Sequence, residues 1–399
     1  MTQKKIFLIL TLDAGFGHRR AASAIQNAMI QIHGNEVECK LVNPIKGKGL
    51  SSIVQKTQVQ YDDASRNHRE IYNTVFNVLN HYLLSLMADH AVTQLFIKEI
   101  TETILDECPD GIISTFPLFG TAIRRILFIL RLRIPFYSVV TDLDDVHRSW
   151  FHPGPDKYFV ASEQLKLQAV ECGISPEKVV ISGIPVDTQI ASETRDKTTI
   201  RQQLGWDSDL PTLVGIGSKR VQNLLKNMVA VDECSLPLQL CIVAGGDDEL
   251  FKAISTRDWK NPIHCYNFVE NVPEMLLASD ILITKAGGLI TSEGLACGLP
   301  MLIIDSISGQ ETGNVNYLLS NNAAVVVGSN DDLKCTLNLW LMNDHHLMDQ
   351  YAQNAKRIGK PEAAYFISNN MIDDMRDNKY QLKNRSNWKK INFVTSFYR

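Results

Sequence analysis

The sequence alternates between short apolar runs and longer segments of helical periodicity, and this alternation restricts the chain to few folds. The runs are rich in valine and isoleucine and are mostly apolar along their whole length. They occupy residues 6–12, 37–42, 111–115, 136–141, 158–161, 179–182, 212–217, 239–244, 264–268, 281–284, 301–304 and 324–327. Strands that are apolar on both faces and separated by helices are typical of parallel sheets covered on both sides. The pattern therefore predicts an α/β protein.

The alternation begins twice, which indicates two domains. Residues 187–211 are polar and contain no strand signal, and a new apolar run follows them. We therefore predict a doubly wound first domain at 1–187, a linker at 188–210 and a doubly wound second domain at 211–375. A chain of 399 residues, 45% of them hydrophobic, has enough apolar side chains for two cores. Within the first domain, residues 50–108 contain no clear strand and are predicted to form a helical excursion.

Composition argues against several classes of protein. The net charge of −4 gives no general attraction to nucleic acid. The eight cysteines form no CxxC pair, so we interpret them as reduced thiols of a cytoplasmic protein and expect no zinc site. The apolar run at 5–12 is too short for a secretory signal. No stretch reaches the roughly 18–20 apolar residues of a transmembrane helix, so any membrane contact is expected to be peripheral.

Two segments have the composition of membrane-contact elements. Residues 376–399 form a predicted basic aromatic tail, which contains no acidic residue beyond position 377. Residues 123–136 place arginines around an apolar run. Both compositions suit an anionic lipid surface. A solvated tail and a core helix are the respective alternatives.

The first candidate site follows the first predicted strand. Gly15, Gly17 and His18 occur between the apolar run 6–12 and a predicted helix. Ligands of open α/β sheets bind outside the carboxyl ends of the strands, and glycines there allow close approach of the backbone. A histidine at this place suits a general base, because it titrates near neutral pH. The alternative is a helix-capping histidine without a chemical role.

The second candidate site lies within residues 281–324. A buried strand is followed by Lys285 and two glycines, and a helix and a polar loop come next. A glycine pair at a helix N-terminus suits a diphosphate, because bare N–H groups and the helix dipole favour anions there. Carboxylate and amide groups further on suit ribose and sugar hydroxyls. The candidates are Gly287, Gly288, Glu293, Gln310, Glu311 and Asn314. The alternative is a plain αβα segment with structural glycines.

Four blocks of sequence, in order, resemble a known family. The stretch 281–324 is similar to the donor-sugar signature K-x-G-G-L-T-x-S-E-A-L-A-x-G-L-P of family-28 glycosyltransferases. Residues 12–22 resemble that family's N-terminal G-x-G-H-x-x-A-A motif, and 139–152 and 182–187 resemble two further blocks. The resemblance spans about residues 5–370 and is closest to the monogalactosyldiacylglycerol synthase and processive diacylglycerol glucosyltransferase group.

The resemblance implies a GT-B fold, in which two Rossmann-like domains face each other across a cleft. It implies an inverting UDP-hexose transferase that makes glycolipids without a metal or other cofactor. The first domain would bind diacylglycerol at a membrane surface, and the second would bind the UDP-sugar. The enzyme is therefore expected to be cytoplasmic and peripherally attached to an anionic membrane.

The resemblance also implies roles for single residues in the first domain. His18 would deprotonate the acceptor hydroxyl, and Gly15 and Gly17 would shape the loop around it. The string of carboxylates at 142–145 looks like a metal-binding DxD motif, but it falls on the acceptor side. We therefore expect Asp142 to orient His18 or the acceptor. His147 and Trp150 are candidates for the acceptor side, with structural packing as their alternative.

In the second domain, the resemblance assigns residues to the parts of the donor. Gly217 and Ser218 would lie near the diphosphate, and Phe268 and Val269 would hold uracil. The remaining assignments are Gly287 and Gly288 for the diphosphate, Lys285 for the leaving UDP, Glu293 for ribose, and Gln310, Glu311 and Asn314 for the sugar.

The chain departs from the family pattern in the diphosphate region. Ile290 stands where the family has threonine, and Thr291 is displaced by about 100° around a helix. The glycine-rich loop of the family is reduced to the stretch 215–220, and Leu12 replaces a serine or threonine. Two alternatives therefore stay open: N-acetylglucosaminyl transfer to a polyprenyl-linked acceptor, and a sugar-nucleotide-binding protein without turnover.

Overall fold

The computed structural model describes residues 4–12, 16–45, 82–342 and 345–376, and it confirms the predicted alternation of strands and helices. In the first half the strands are β1 (Lys5–Leu10), β2 (Val37–Val42), β3 (Gly111–Ser114), β4 (Phe136–Val139), β5 (Lys157–Val160) and β6 (Val179–Ile181). The helices are α1 (Phe16–His33), α2 (Tyr82–Glu107), α3 (Gly120–Ile129), α4 (Glu163–Glu171) and α5 (Thr188–Ser192). Short 3₁₀ turns occur at Pro117–Phe119, Arg148–Trp150 and Pro176–Lys178.

The strands of the first half form one parallel sheet in the order β2-β1-β3-β4-β5-β6. Because β2 and β3 flank β1 on opposite sides, the winding direction reverses between β1 and β3. Alternate side chains of β1 point to opposite faces of the sheet. Leu8 and Leu10 pack with α2 and α3, whereas Phe7 and Ile9 pack with α1. The carboxyl ends of β1 and β3 therefore form a switch point between two covered faces, where ligands of such sheets bind.

The second half repeats the plan with its own sheet. Its strands are β7 (Thr212–Ile216), β8 (Gln239–Val243), β9 (Ile263–Tyr266), β10 (Ile281–Lys285), β11 (Met301–Asp305) and β12 (Ala324–Val326). Its helices are α6 (Lys197–Leu204), α7 (Leu224–Asp232), α8 (Asp248–Ser255), α9 (Val272–Leu277), α10 (Gly288–Ala296), α11 (Thr312–Ser320), α12 (Asn330–Leu341) and α13 (His346–Ile358). The parallel order is β12-β11-β10-β7-β8-β9, which places the switch point between β7 and β10.

The last described helix, α14 (Ala363–Arg376), differs from the predicted domain boundary at residue 375. Ile367, Met371 and Met375 of α14 are buried with Phe7 and Ile25 in the core of the first unit. The chain accordingly divides into a first unit with residues 1–188 and α14, and a second unit with 189–307 and 311–361. The sequence places this helix in the second domain because chain order alone does not reveal which core an amphipathic helix covers.

Part of the predicted helical excursion is confirmed, since α2 is a helix of 26 residues. Residues 50–81 of that excursion, most of the tail and Gly15 lie outside the described residues. Among the described helices, none is long and apolar enough to cross a membrane.

Candidate active site

His18 lies in the first turn of α1, at the switch point of the first sheet. Two buried threonines hold its backbone: Thr115 Oγ1 donates to the His18 carbonyl oxygen over 3.1 Å and lies 3.0 Å from Thr11 Oγ1. Thr11 follows β1 and Thr115 follows β3. Three elements that are distant in sequence therefore position this histidine, which is more than a helix cap would require.

The ring of His18 is fixed by three further contacts. Its Nδ1 lies 2.8 Å from the hydroxyl oxygen of Thr141, which follows β4. Phe116 meets the ring edge-on at a centroid distance of 5.4 Å, and the buried Trp150 lies at 6.1 Å. A neutral imidazole that donates from Nδ1 to Thr141 carries its basic lone pair on Nε2. This arrangement suits a general base that accepts a proton at Nε2.

The other residues predicted for the acceptor side occupy the loop that follows β4. Asp142 is partly exposed and is the next residue after Thr141, whose hydroxyl contacts the histidine. His147 Nδ1 accepts from the backbone N–H of Ser149 over 3.2 Å and caps the 3₁₀ turn that carries Trp150. His147 thus positions Trp150. Sequence reasoning missed Thr141, although a hydroxyl at the end of an apolar run was a visible signal.

The carboxylates that resemble a DxD motif take part in the turn itself. The backbone N–H of Asp145 donates to Asp144 Oδ1 over 2.9 Å, and Gln168 Nε2 donates to Asp145 Oδ1 over 3.2 Å. Burial raises the pKa of Asp144 above its ordinary value. Across the described ranges, no group of three or more metal-ligating side chains is found.

In the second unit, the N-terminus of α10 follows β10 at the switch point. Thr291 Oγ1 donates to the Gly287 carbonyl and Ser292 Oγ donates to the Gly288 carbonyl, each over 2.7 Å. A methyl group on Gly287 would meet Lys285, Ile290 and Glu311 at ordinary contact distances of 3.5–3.7 Å, so the backbone at this helix end is not tightly covered. The bare helix end therefore suits an anion. Thr291 is fully buried and faces back along the helix, so it does not occupy the place of Ile290.

Lys285, at the end of β10, forms an ion pair with Glu311, which is buried. The backbone N–H of Ile307 donates to the second oxygen of Glu311 over 2.8 Å. Asn314 Nδ2 donates to the carbonyl of Ala286 over 3.0 Å. These residues join the turn after β10 to the start of α11. Lys285 thus stands beside the helix end with its charge balanced, and Gln310 lies in the loop before Glu311.

Glu293 lies in α10 and is almost completely buried, with 1% of its surface exposed. The negative charge of its carboxylate influences Cys297, the residue that directly follows the helix. Burial first, and then the charge of Glu293, raise the pKa of the Cys297 thiol above its ordinary value. The structure therefore places Glu293 one and a half turns behind the glycine pair, within the core side of the helix.

The ends of β7, β8 and β9 come together in a second cluster. The N–H of Gly217 donates to the Val243 carbonyl over 2.8 Å, and Ser218 follows it. Gly245 has a left-handed backbone with φ +65°, and a Cβ there would approach the Gly217 carbonyl oxygen to 2.1 Å. Only glycine fits such a close approach. Sequence reasoning missed Gly245, although a Gly-Gly pair directly after an apolar run was a visible signal.

Phe268 and Val269 follow β9 beside this cluster. Phe268 is 59% exposed, which is unusual for so large an apolar side chain. Gly246, with φ +81°, lies next to it, since a Cβ there would be 3.9 Å from the Phe268 ring. An exposed aromatic ring beside two glycine turns suits a planar heterocyclic base.

Two family models together match most of the chain. One is described as monogalactosyldiacylglycerol (MGDG) synthase and matches residues 18–186, and the other is described as glycosyl transferases group 1 and matches residues 196–358. The chloroplastic MGDG synthase of Spinacia oleracea is 28% identical over 383 residues, which cover 93% of this chain and 73% of that protein. MGDG synthase 2 of Arabidopsis thaliana is 27% identical over 403 residues, which cover 98% of this chain and 85% of that protein.

Solved structures share the fold at low identity. Anabaena HepE in complex with UDP-glucose has a TM-score of 0.55 at 14% identity and covers 93% of this chain and 99% of its own. Acinetobacter baumannii MurG has a TM-score of 0.57 at 14% identity and covers 92% of this chain and 99% of its own. With the two six-stranded sheets, these likenesses confirm a GT-B fold made of two Rossmann-like domains.

The family models fall on the two units separately, whereas the full-length relatives align across almost the whole chain. The motif blocks, the fold and these relatives agree. Along almost its whole length, the chain is therefore similar to the monogalactosyldiacylglycerol synthases, a group of glycosyltransferases.

Proposed function

We propose that this enzyme transfers a hexose from a UDP-sugar to diacylglycerol with inversion at the anomeric carbon. One observation supports this most directly: His18 lies at the switch point of the first sheet with Nδ1 held by Thr141. Its Nε2 is then the atom that accepts the proton of the acceptor hydroxyl. The relatives that align with the chain are named as MGDG synthases, which supports diacylglycerol as the acceptor.

In the proposed transfer, one bond to the anomeric carbon forms while another breaks, and His18 takes up the proton. The acceptor oxygen gives its proton to His18 Nε2 and forms a bond to the anomeric carbon, while the bond from that carbon to UDP breaks. The electron pair leaves with UDP, whose diphosphate gains negative charge. The N–H groups and the dipole at the start of α10, behind Gly287 and Gly288, stabilise this charge. The general base would thus serve the attacking oxygen, and the helix end would serve the leaving diphosphate.

The remaining donor contacts are proposed from the sequence resemblance together with the strand ends at which these residues stand. Phe268 and Val269 would hold uracil beside the turns of Gly245 and Gly246. Glu293 would bind ribose, and Gln310 would bind the hexose. Lys285 and its partner Glu311 would fix the loop between diphosphate and sugar, with Asn314 holding the turn below.

We further propose that the reaction needs no metal, because the helix end provides the stabilisation of the leaving diphosphate. The acceptor is a membrane lipid, so the enzyme would work from the cytoplasmic side at an anionic membrane surface. Turnover in excess EDTA tests whether the reaction proceeds without a metal. A loss of activity that Mg²⁺ or Mn²⁺ restores would contradict a metal-free reaction.

The decisive experiment is UDP release from UDP-glucose, UDP-galactose and UDP-N-acetylglucosamine, with and without diacylglycerol in anionic vesicles. Release that needs one donor together with diacylglycerol is the expected result. His18→Ala should lower turnover by roughly 10²- to 10⁴-fold without changing the affinity for UDP. His33→Ala is the matched control, because His33 ends the same helix about 22 Å away and contacts Asn369.

Two outcomes would replace the proposal. Release that depends on a polyprenyl-linked sugar and not on diacylglycerol would assign the other acceptor class. UDP binding without lipid-dependent release from any donor would indicate a sugar-nucleotide-binding protein. Full turnover of His18→Ala with intact UDP binding would remove His18 from the mechanism.

A further inference from the structure

The imidazole of His152 fills a narrow slot between two glycines. A Cβ on Gly120 would overlap the ring, and a Cβ on Gly154 would lie 2.8 Å from its Nδ1 and Cε1 atoms. Phe136 stacks on the ring at a centroid distance of 6.4 Å and an interplanar angle of 25°. Tyr158 meets the ring edge-on, also at 6.4 Å. The ring therefore has close neighbours on several sides, and the absence of a side chain on the two glycines makes room for it.

The backbone of His152 is held by the same tyrosine. The His152 N–H donates to the Tyr158 hydroxyl over 3.0 Å, and this hydroxyl donates to the His152 carbonyl oxygen. The carbonyl oxygen also accepts from the N–H of Gly154 over 2.7 Å. Because Tyr158 is a fully buried residue of β5, the loop that follows β4 is anchored to the sheet at His152.

Hydrogen bonding at Nδ1 does not account for the place of this ring. Nδ1 of His152 is buried and has no hydrogen-bond partner among the residues that the structure describes. A buried polar atom without a partner costs free energy. Burial first, and then the charge of Arg124, lower the pKa of His152 to about 4, so the ring is neutral near pH 7. The feature that the slot uses is the shape of the side chain, which is flat and rigid.

The two segments that form this slot carry the two aromatic rings that contact His18. On one side, a single 3₁₀ turn separates Gly120 from Phe116. On the other side, Trp150 lies two residues before His152. The short turns beside these two aromatic residues also contact each other. The rings lie 5.4 and 6.1 Å from the His18 ring, so the separation of the two segments sets where both rings stand against the proposed base.

We propose that His152 is a positioning residue for the glycosyl transfer: its ring sets the separation of the two segments and so holds both aromatic rings against His18. This inference rests on the proposed function, because it takes His18 as the general base. With Phe116 and Trp150 in place, the imidazole of His18 keeps the orientation in which Nδ1 faces Thr141. Without the His152 ring, the two segments can close up, and Nε2 of His18 leaves the position in which it accepts a proton.

His152→Ala empties the slot and is the main test, with UDP release in the presence of diacylglycerol as the readout. We expect kcat to fall about 10- to 100-fold, because a misplacement of about 1 Å is enough for a loss of this size. The Kd for UDP should stay within about twofold, since the slot belongs to the first unit. His152→Gln keeps a flat side chain of similar reach and should keep kcat within about threefold.

Met375→Ala is the matched control, because it also removes a buried side chain from the first unit. Met375 lies next to Arg376, which pairs with Glu36 directly before β2, at the opposite end of the strands from His18. The folded fraction of this variant should keep the parent kcat. A loss of kcat in His152→Ala that is no larger than in Met375→Ala would overturn the inference.

A pair of substitutions keeps the test valid if His152→Ala does not fold. Gly120→Ala alone puts a methyl group where the ring of His152 lies, so it should also lower kcat. In the double variant the methyl group has room and fills part of the slot. Its loss of kcat should therefore be smaller than the product of the two single losses. A double variant that shows the full product would contradict the shared slot.

A spectroscopic measurement separates this inference from the proposed function. In ¹³C–¹H spectra of the histidine-labelled full chain, the Cε1–H signal of His18 should shift in His152→Ala, because the ring currents of Phe116 and Trp150 depend on their distances from that atom. The signal of His33, at the far end of the same helix, should stay in place. An unchanged His18 signal would overturn the inference while leaving the transferase intact. Absence of UDP release from the parent chain would overturn the proposed function, and the His18 signal would still test whether His152 holds the two rings.

Discussion

Nδ1 of His18 lies 2.8 Å from Oγ1 of Thr141, so a hydroxyl rather than a carboxylate holds the proposed base at this nitrogen. The two residues come from the first turn of α1 and the end of β4. When this hydroxyl accepts from Nδ1–H, the basic lone pair lies on Nε2, and the hydroxyl itself adds no negative charge beside the ring. The structure therefore adds Thr141 as an orienting contact of His18, and the role of Asp142 stays a prediction.

Replacing Thr141 by valine keeps the shape of this buried side chain and removes the contact to Nδ1. We expect kcat to fall about 10- to 100-fold, because the base then loses its preferred tautomer and ring orientation. The affinity for UDP should stay unchanged, since Thr141 belongs to the first unit. Steady-state UDP release and UDP titration calorimetry measure the two quantities.

Thr141→Ser is the control for this prediction, because it restores the hydroxyl and leaves a small cavity. Its kcat should lie within about threefold of the parent value, and its pH–rate profile should superimpose on the parent profile. Equal losses in the valine and serine variants would show that packing, and not the hydrogen bond, accounts for the effect.

Gly287→Ala tests the anion site at the start of α10. The added methyl meets Lys285, Ile290 and Glu311 at ordinary distances of 3.5–3.7 Å, so stability should change by less than about 0.5 kcal/mol. The methyl stands beside the N–H groups proposed to bind the diphosphate, so the dissociation constant for UDP should rise about tenfold or more. Calorimetric titration of UDP and urea unfolding measure the two effects.

Gly359→Ala is the control in the same unit, because we expect it to lower stability and to leave the affinity for UDP unchanged. A Cβ on Gly359 would approach the Leu295 carbonyl oxygen to 2.2 Å, which forces the backbone to shift. This variant should lose about 1–3 kcal/mol of stability while its folded fraction keeps the parent affinity for UDP. A Gly287→Ala variant with parent affinity would remove the helix end from the diphosphate site.

The Lys285–Glu311 pair supports a third prediction. Its side chains are 15% and 5% exposed, so Lys285→Met leaves a buried carboxylate without its counter-charge. The free energy of unfolding should fall by about 3 kcal/mol. Adding Glu311→Gln should recover most of this loss, because the amide oxygen still accepts from Ile307. Urea denaturation of the two single variants and the double variant gives the coupling energy, and additive losses would contradict the proposed pairing.

His152 gives a pH dependence of stability. Burial first, and then the charge of Arg124, lower the pKa of His152 from 6.5 to about 4. The unfolded chain therefore takes up this proton near pH 6.5, whereas the folded chain does so only near pH 4. The stability contributed by neutral His152 is complete above pH 6.5 and is lost as the pH falls toward 4.

Between pH 7.5 and pH 5 this group should cost the parent chain about 2 kcal/mol that a His152→Gln variant does not lose. Both proteins contain the same carboxylates, so the effect of carboxylate titration on stability drops out of the difference between them. Urea unfolding at several pH values measures it. Parallel stability curves of the two proteins would show that folding does not lower the pKa of His152.

Sequence and structure agree where the signal is local. Each predicted apolar run overlaps a strand, and His18 and Gly287 both follow a strand and lie at the start of a helix. These placements depend on apolar periodicity and glycine positions within short windows, which the sequence displays directly. The exception is α14, which the sequence assigns to the second domain and which packs in the first unit. Its apolar face does not indicate which core it covers.

By itself, the amino-acid sequence determined the two α/β units, the strand ends and the residue types that stand at them. Only the tertiary structure decided which of those residues meet. Thr141 reaches His18 across 123 positions, and Lys285 reaches Glu311 across 26. The physical reason is that parallel pairing brings separate strand ends to one edge, and a hydrogen bond there depends on distances of a few tenths of an ångström that no local pattern encodes.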